Sequence, residues 1–160
     1  MEFLQWLIEI DEQLLLAING CHNEYFDHFM YLFSDRWIWV PMYVAILYVM
    51  VINLSLRKMI VCLIAITLTI TIADQVGASL IRPIVERMRP SNPDNPISDV
   101  VHIVNNYRSG RYGFPSCHAA NTFGLAFFVC FLFRRRWLTV FLMLWAVVTC
   151  YSRVYLGLHY

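Results

Sequence analysis

Met59-Ile-Val-Cys-Leu-Ile-Ala-Ile-Thr-Leu-Thr-Ile-Thr-Ile-Ala-Asp74-Gln-Val-Gly-Ala-Ser-Leu-Ile81 decides the fold. It holds one charged residue, Asp74, in a run long enough to cross a bilayer. About 20 mostly apolar residues cross a hydrocarbon core of about 30 Å as a helix. Helix is the form expected, because lipid offers no partner to an unpaired backbone N–H or C=O. Working outward, Arg57-Lys58 makes a short basic turn before this run. Before that turn, residues 37–54 form another apolar stretch that opens with Trp37 and Trp39. Tryptophan suits the headgroup level of a membrane. On the other side, residues 83–113 hold four of the six prolines and read as a long polar loop. Loops of that length inside compact domains tend to be functional or disordered. Two more apolar runs follow, 114–133 and 137–157, separated by Arg134-Arg135-Arg136.

The N-terminal segment differs. Residues 3–18 carry Leu4, Leu7, Ile8, Leu14, Leu15 and Ile18 at helical spacing, together with Glu9, Asp11 and Glu12. A crossing helix would bury those carboxylates, so a helix lying at the interface is expected. Asn19-Gly20 ends it, and residues 21–36 read as a short helix or loop at the surface. The start Met1-Glu2-Phe3 lacks the basic n-region of a cleaved signal peptide.

Composition agrees. Apolar residues make up 59% and charged residues 14%, against about 45–50% and about 25% in soluble domains. The net charge of +1 gives no case for nucleic acid. Five cysteines match no disulfide framework or zinc spacing. The expectation is one all-α domain over 1–160, a polytopic membrane bundle of four or five helices. Residues 1–36 form its interfacial segment and 83–113 its active-site loop.

Following the runs back and forth puts Arg82, Arg89, Ser116, His118, Arg153 and His159 at one membrane face, with Arg57, Lys58 and the arginine triplet at the other. Short basic loops tend to be cytoplasmic, which would put the first face outside the cytoplasm. A raw charge count does not decide this, because the long loop also carries Arg87, Arg108 and Arg111.

The clustered residue types point to a phosphoryl group. Arginine keeps its charge and offers a planar fork suited to phosphate oxygens. Arg82, Arg89 and Arg153 together would neutralise one such group. The alternative for any single arginine is a long stem reaching from a helix end to the headgroups. Pro115-Ser116-Cys117-His118 is expected to open a helix, with Pro115 at its first position. Free N–H groups at a helix start bind anions, Ser116 adds a hydroxyl, and His118 can hand a proton to a leaving alkoxide. An ordinary cap with a surface histidine is the other reading. His159 is a candidate nucleophile, provided a partner, usually a carboxylate, fixes its second nitrogen. Asp74 is costly in a membrane unless paired, and an arginine is one expected partner. His102 reads as a solvated loop histidine.

Taken in order, the three segments resemble the type 2 phosphatidic acid phosphatase superfamily. Its pattern is Lys-x6-Arg-Pro, then Pro-Ser-Gly-His, then Ser-Arg-x5-His-x3-Asp. Here Arg82-x6-Arg89-Pro90, Pro115-Ser116-Cys117-His118 and Ser152-Arg153-x5-His159 stand in those places. Arg82 replaces the lysine, Cys117 replaces the glycine, and the aspartate due four residues after His159 is not within the sequence. A further C-terminal segment with a final helix is expected by the resemblance. The resemblance implies hydrolysis of a phosphate on a membrane lipid, through attack by His159 on phosphorus, with no metal and no cofactor. It implies His118 as the acid, and Arg82, Arg89, Ser116, Cys117 and Arg153 as the phosphate-binding set. Phosphatidic acid, phosphatidylglycerol phosphate, undecaprenyl diphosphate and lipid A phosphates are the candidate substrates. The expected setting is a bacterial cytoplasmic membrane with the site on its outer face, and the oligomeric state is left open. Three other readings remain at this point: a lipid phosphotransferase, a non-catalytic lipid-phosphate binder, and a haem protein ligated by His118 and His159.

Overall fold

The computed structural model describes residues 2–160; Met1, first residue of the expected 1–36 segment, lies outside them. Among the described residues the chain is all helix and loop, with one isolated antiparallel bridge, Met88 to Tyr112. The helices are α1 (Glu2–Gly20), α2 (Glu24–Ser34), α3 (Val40–Asn53), α4 (Leu56–Gln75), α5 (Arg82–Val85), α6 (Cys117–Phe133) and α7 (Arg136–Tyr155). A 3-10 turn, Arg36–Trp39, leads into α3, and a π-helical segment, Val76–Ile81, joins α4 to α5.

Among the described residues three stretches are long and apolar enough to cross a membrane: Arg36–Asn53, Leu56–Val85 and Arg136–Tyr155; Cys117–Phe133 is apolar but shorter. The 30-residue stretch Leu56–Val85 rises about 45 Å at 1.5 Å per residue. That exceeds a hydrocarbon core of about 30 Å, so its last turns carry Arg82 beyond the apolar layer. Large apolar side chains stay exposed along α3 and α4, among them Val44, Val51, Ile60, Ile64, Leu68 and Ile72. Water would not tolerate such a face, and lipid would.

One buried cluster lies between α6 and α7, where Ala126, Val129, Leu142, Trp145 and Ala146 are buried and Trp39, Tyr43 and Ile46 close over them. Alanines at such a contact let two helix backbones approach closely. A second cluster, Met30, Val104, Tyr155, Leu156 and Leu158, joins α2 and the long loop to the end of α7. The expected interfacial segment is two helices. Residues 24–34 fold as a full helix, capped by Asn23, whose side chain accepts from the Phe26 N–H. The carboxylate of Asp11 on α1 is taken up by Arg87 of the loop, with Nη1 2.5 Å from Oδ2.

Candidate active site

The loop from Glu86 to Ser116 is ordered by its own backbone. Arg89 N–H donates to the Arg111 carbonyl at 3.0 Å, and Gly113 N–H donates to the Arg87 carbonyl at 2.8 Å. This two-stranded pinch lays Gly113 against Arg89. A Cβ on Gly113 would stand 3.0 Å from Arg89 Cγ and 3.4 Å from its Cα, so any side chain there requires Arg89 to give by a few tenths of an ångström. Ser91 N–H then donates to the Gly157 carbonyl at 2.9 Å, fastening the loop to the chain just past α7.

His159 is buried, 4% exposed, between these pieces. Its Nδ1 lies 2.5 Å from the Gly113 carbonyl and its Nε2 2.8 Å from Arg89 Nη1. A carbonyl only accepts, so Nδ1 carries the proton; a guanidinium only donates, so Nε2 offers its lone pair. The tautomer is therefore fixed by a backbone carbonyl. Burial, then the charges of Arg89 and Arg153, hold His159 far below the ordinary histidine range, at about 3. Arg89 also donates to the Leu158 carbonyl at 2.9 Å. Burial and the like charges of Arg153 and Arg82 lower its pKa to about 10.

Arg153 is buried near the end of α7 and donates from Nη1 to Ser34 Oγ at 2.9 Å. Its neighbour Ser152 turns its hydroxyl back into the helix, donating to the Thr149 carbonyl at 2.7 Å. The Nε groups of Arg89 and Arg153 are buried donors with no acceptor. Among the described residues neither arginine has a carboxylate within 4.0 Å; the two ion pairs are Arg87–Asp11 and His102–Asp27. Two buried cations with unmet donors form a cradle for an anion. Arg82 reaches the same region from α5, its Nε and Nη2 directed at the Pro115 carbonyl at 3.4 and 3.3 Å.

Ser116 is the cap of α6, its Oγ accepting from Ala119 N–H at 3.3 Å. The helix begins at Cys117, so Pro115 stands one residue outside the cap and not at the first helical position expected from its type. Ser116 is the better start because its hydroxyl satisfies a free N–H, which proline has no side chain to do. Cys117 is helical, and the positive-φ residues lie elsewhere, so the cysteine is accommodated without backbone strain. Its Sγ packs where a Cβ on Gly77, in the π segment, would come within 2.9 Å. His118 faces a polar cavity of about 430 Å³ shared with Arg153, Ser34, Tyr107 and Arg36.

Two expectations change. Asp74 pairs with Asn121 of α6, whose Nδ2 donates to Oδ1 at 2.9 Å, and not with an arginine. An amide serves here because α4 and α6 pack side by side and bring Asn121 to Asp74. His102 is half-buried, with Nε2 2.8 Å from Asp27 Oδ2, and its ring stacks on His22 with centroids 3.7 Å apart. His22, Asp27 and His102 are close enough to consider a metal. The rings are within 10° of parallel, so their in-plane lone pairs do not converge on one ion.

Several contributors carry no motif: the Gly113 carbonyl, Ser34 and Arg36. A carbonyl has no signature in side-chain identity, and Ser34 lies 119 residues before the arginine it receives.

The PAP2 superfamily model matches residues 57–160. A "Lipid A 4'-phosphatase" of Bacteroides thetaiotaomicron is 54% identical over 157 residues, covering 98% of this chain and 70% of that protein. A "Lipid A 4'-phosphatase" of Porphyromonas gingivalis is 35% identical over 160 residues, covering 98% of this chain and 66% of that protein. No solved structure matches. With all three motifs folded around one buried arginine–histidine cluster, the chain belongs to the PAP2 superfamily, the family its motifs resemble.

Proposed function

We propose that this chain is a membrane lipid phosphate phosphatase that removes the phosphate monoester of a lipid A-type glycolipid through a phosphohistidine at His159. The observation that carries it is the pairing of His159 Nε2 with Arg89 at 2.8 Å, beside an Arg153 with an unmet buried donor. The name shared by two bacterial relatives supports the glycolipid over other lipid phosphates. The apolar helices support a membrane as its setting and the two relatives a bacterial one, and we propose that the site lies on the outer face of the cytoplasmic membrane.

In the proposed reaction, phosphate oxygens draw Arg89 away from Nε2 and free its lone pair. Arg82, Arg89, Arg153 and the first N–H groups of α6 share the phosphoryl charge. Ser116, already accepting at the helix start, offers its hydroxyl proton to a phosphate oxygen. The incoming negative charge favours the protonated form of His118. Nε2 attacks phosphorus, the bond from phosphorus to the lipid oxygen breaks, and His118 gives that oxygen its proton. Water then attacks the phosphohistidine, His118 takes the water's proton, and phosphate leaves as the P–N bond breaks. Throughout, the Gly113 carbonyl holds Nδ1–H, as the orienting partner of a nucleophilic imidazole must.

Phosphate release from lipid A, phosphatidic acid and phosphatidylglycerol phosphate in detergent tests this. Lipid A is expected to turn over fastest. His118→Ala should lower kcat by about 10²–10⁴, and His159→Ala should abolish turnover and acid-labile labelling by a radioactive phosphate substrate. Vanadate, which imitates five-coordinate phosphorus, should inhibit. Full activity in His159→Ala would remove the mechanism.

A further inference from the structure

Arg36 belongs to none of the three motifs, yet it lines two cavities that meet. One is the polar cavity of about 430 Å³ with Arg153 and His118. The other, about 460 Å³, is walled mainly by apolar side chains of α3, α4, α6 and α7, among them Tyr43, Met50, Ile66 and Leu125. Arg36 and His118 are on the wall of both. The adjacent Asp35 accepts from the Trp37 N–H through Oδ1 at 3.1 Å and is not within ion-pair distance of Arg36. Among the described residues Arg36 is in no ion pair. Its guanidinium stands 5.5 Å from the centre of the Trp37 ring, exposed but steadied by that face.

A phosphorylated membrane lipid has a fixed order along its length. Phosphate comes first, then a layer of ester, amide and hydroxyl oxygens on the sugar or glycerol, then hydrocarbon. A phosphate beside Arg153 and His118, with chains toward Met50 and Leu125, puts that oxygen layer at the junction where Arg36 stands. We propose that Arg36 is a specificity-determining residue, donating to the carbonyl or hydroxyl oxygens between the phosphate and the acyl chains. It lets the site favour an acylated lipid phosphate over a soluble phosphomonoester. The proposal rests on the phosphatase reading and adds a recognition element to the same site.

The test compares wild type, Arg36→Gln and Arg36→Lys on lipid A and on para-nitrophenyl phosphate in one detergent. For Arg36→Gln the ratio of kcat/KM on lipid to that on the soluble ester should fall about tenfold or more, the size expected for a hydrogen bond from a charged donor. The change should appear mainly in KM for the lipid. Arg36→Lys should recover part of it, since a donor and charge return without the fork. Lys58→Gln, in the turn before α4, should leave the ratio as in wild type. An unchanged ratio in Arg36→Gln, or an equal loss on both substrates, would overturn the role. Wild type that cleaves the soluble ester but no lipid phosphate would overturn the lipid reading, and this role with it.

Discussion

Gly113 shows how much a residue without a side chain can decide. Its carbonyl sets the tautomer of His159, and its missing Cβ lets Arg89 lie against it. Gly113→Ala is expected to push Arg89 off Nε2 and lower kcat/KM at least tenfold, with a smaller effect on melting; phosphate release and thermal melts on the same sample check this. His159 makes a second expectation at this scale. Its folded value, about 3, lies below the ordinary value of about 6.5. Between those values the unfolded chain accepts a proton that the folded chain refuses. This contribution to stability is therefore complete above about pH 6.5 and declines as pH falls toward about 3. Melting midpoints from pH 7.5 to 4.5 should fall more steeply for wild type than for His159→Asn; parallel curves would show that His159 takes up its proton without unfolding.

At the scale of elements, the π segment Val76–Ile81 is what turns Arg82 toward Pro115. An extra residue per turn shifts the face that the following residues present. The sequence shows an uninterrupted apolar run there, so the helix is legible and the insertion is not. Motif spacing made Arg82, Arg89, Ser116, His118, Arg153 and His159 legible as neighbours, because helix lengths fix which ends share a face. It gave no access to Asn121 as the partner of Asp74, since pairing across helices depends on their rotation about their axes. Gly77 and Cys117 give the expectation here. Gly77→Ala places a Cβ 2.9 Å from Cys117 Sγ, an overpacking that costs about 1–3 kcal/mol. Combining it with Cys117→Gly should recover most of that loss, and a double-mutant cycle of melting and activity measures the coupling. Additive losses would mean the two positions do not meet.

At the scale of the whole molecule, the N-terminal helices act as the fastening of the active-site loop. Asn19, 1% exposed at the end of α1, makes three hydrogen bonds. Its Nδ2 donates to the His102 carbonyl at 2.9 Å and to the Tyr155 carbonyl at 2.6 Å, and its Oδ1 accepts from His102 N–H at 2.7 Å. One side chain thus ties α1, the loop and the end of α7. Asp27 of α2 repeats the tie, accepting from the Tyr155 hydroxyl at 2.5 Å and pairing with His102. Gly157, at φ +66°, lets the chain turn under Val101, whose Cγ1 would lie 2.5 Å from any added Cβ. From the sequence, Asn19-Gly20 reads as a helix end, because a buried amide and a capping amide look alike until their partners are known. Asn19→Ala leaves the His102 and Tyr155 backbone groups buried without partners, at about 1–3 kcal/mol for each group left unmet. The loop and the end of α7, which carry Arg89, Gly113, Arg153 and His159, should then come apart together. Limited proteolysis within 91–112 should quicken, and kcat should fall although no group facing the phosphate has changed. Asn19→Asp keeps the acceptor for His102 N–H but sets a buried carboxylate oxygen against the His102 and Tyr155 carbonyls, so it should lose at least as much as Asn19→Ala. Unchanged cleavage and turnover in Asn19→Ala would mean that the Ser91–Gly157 bond and the α2 contacts hold the loop without α1.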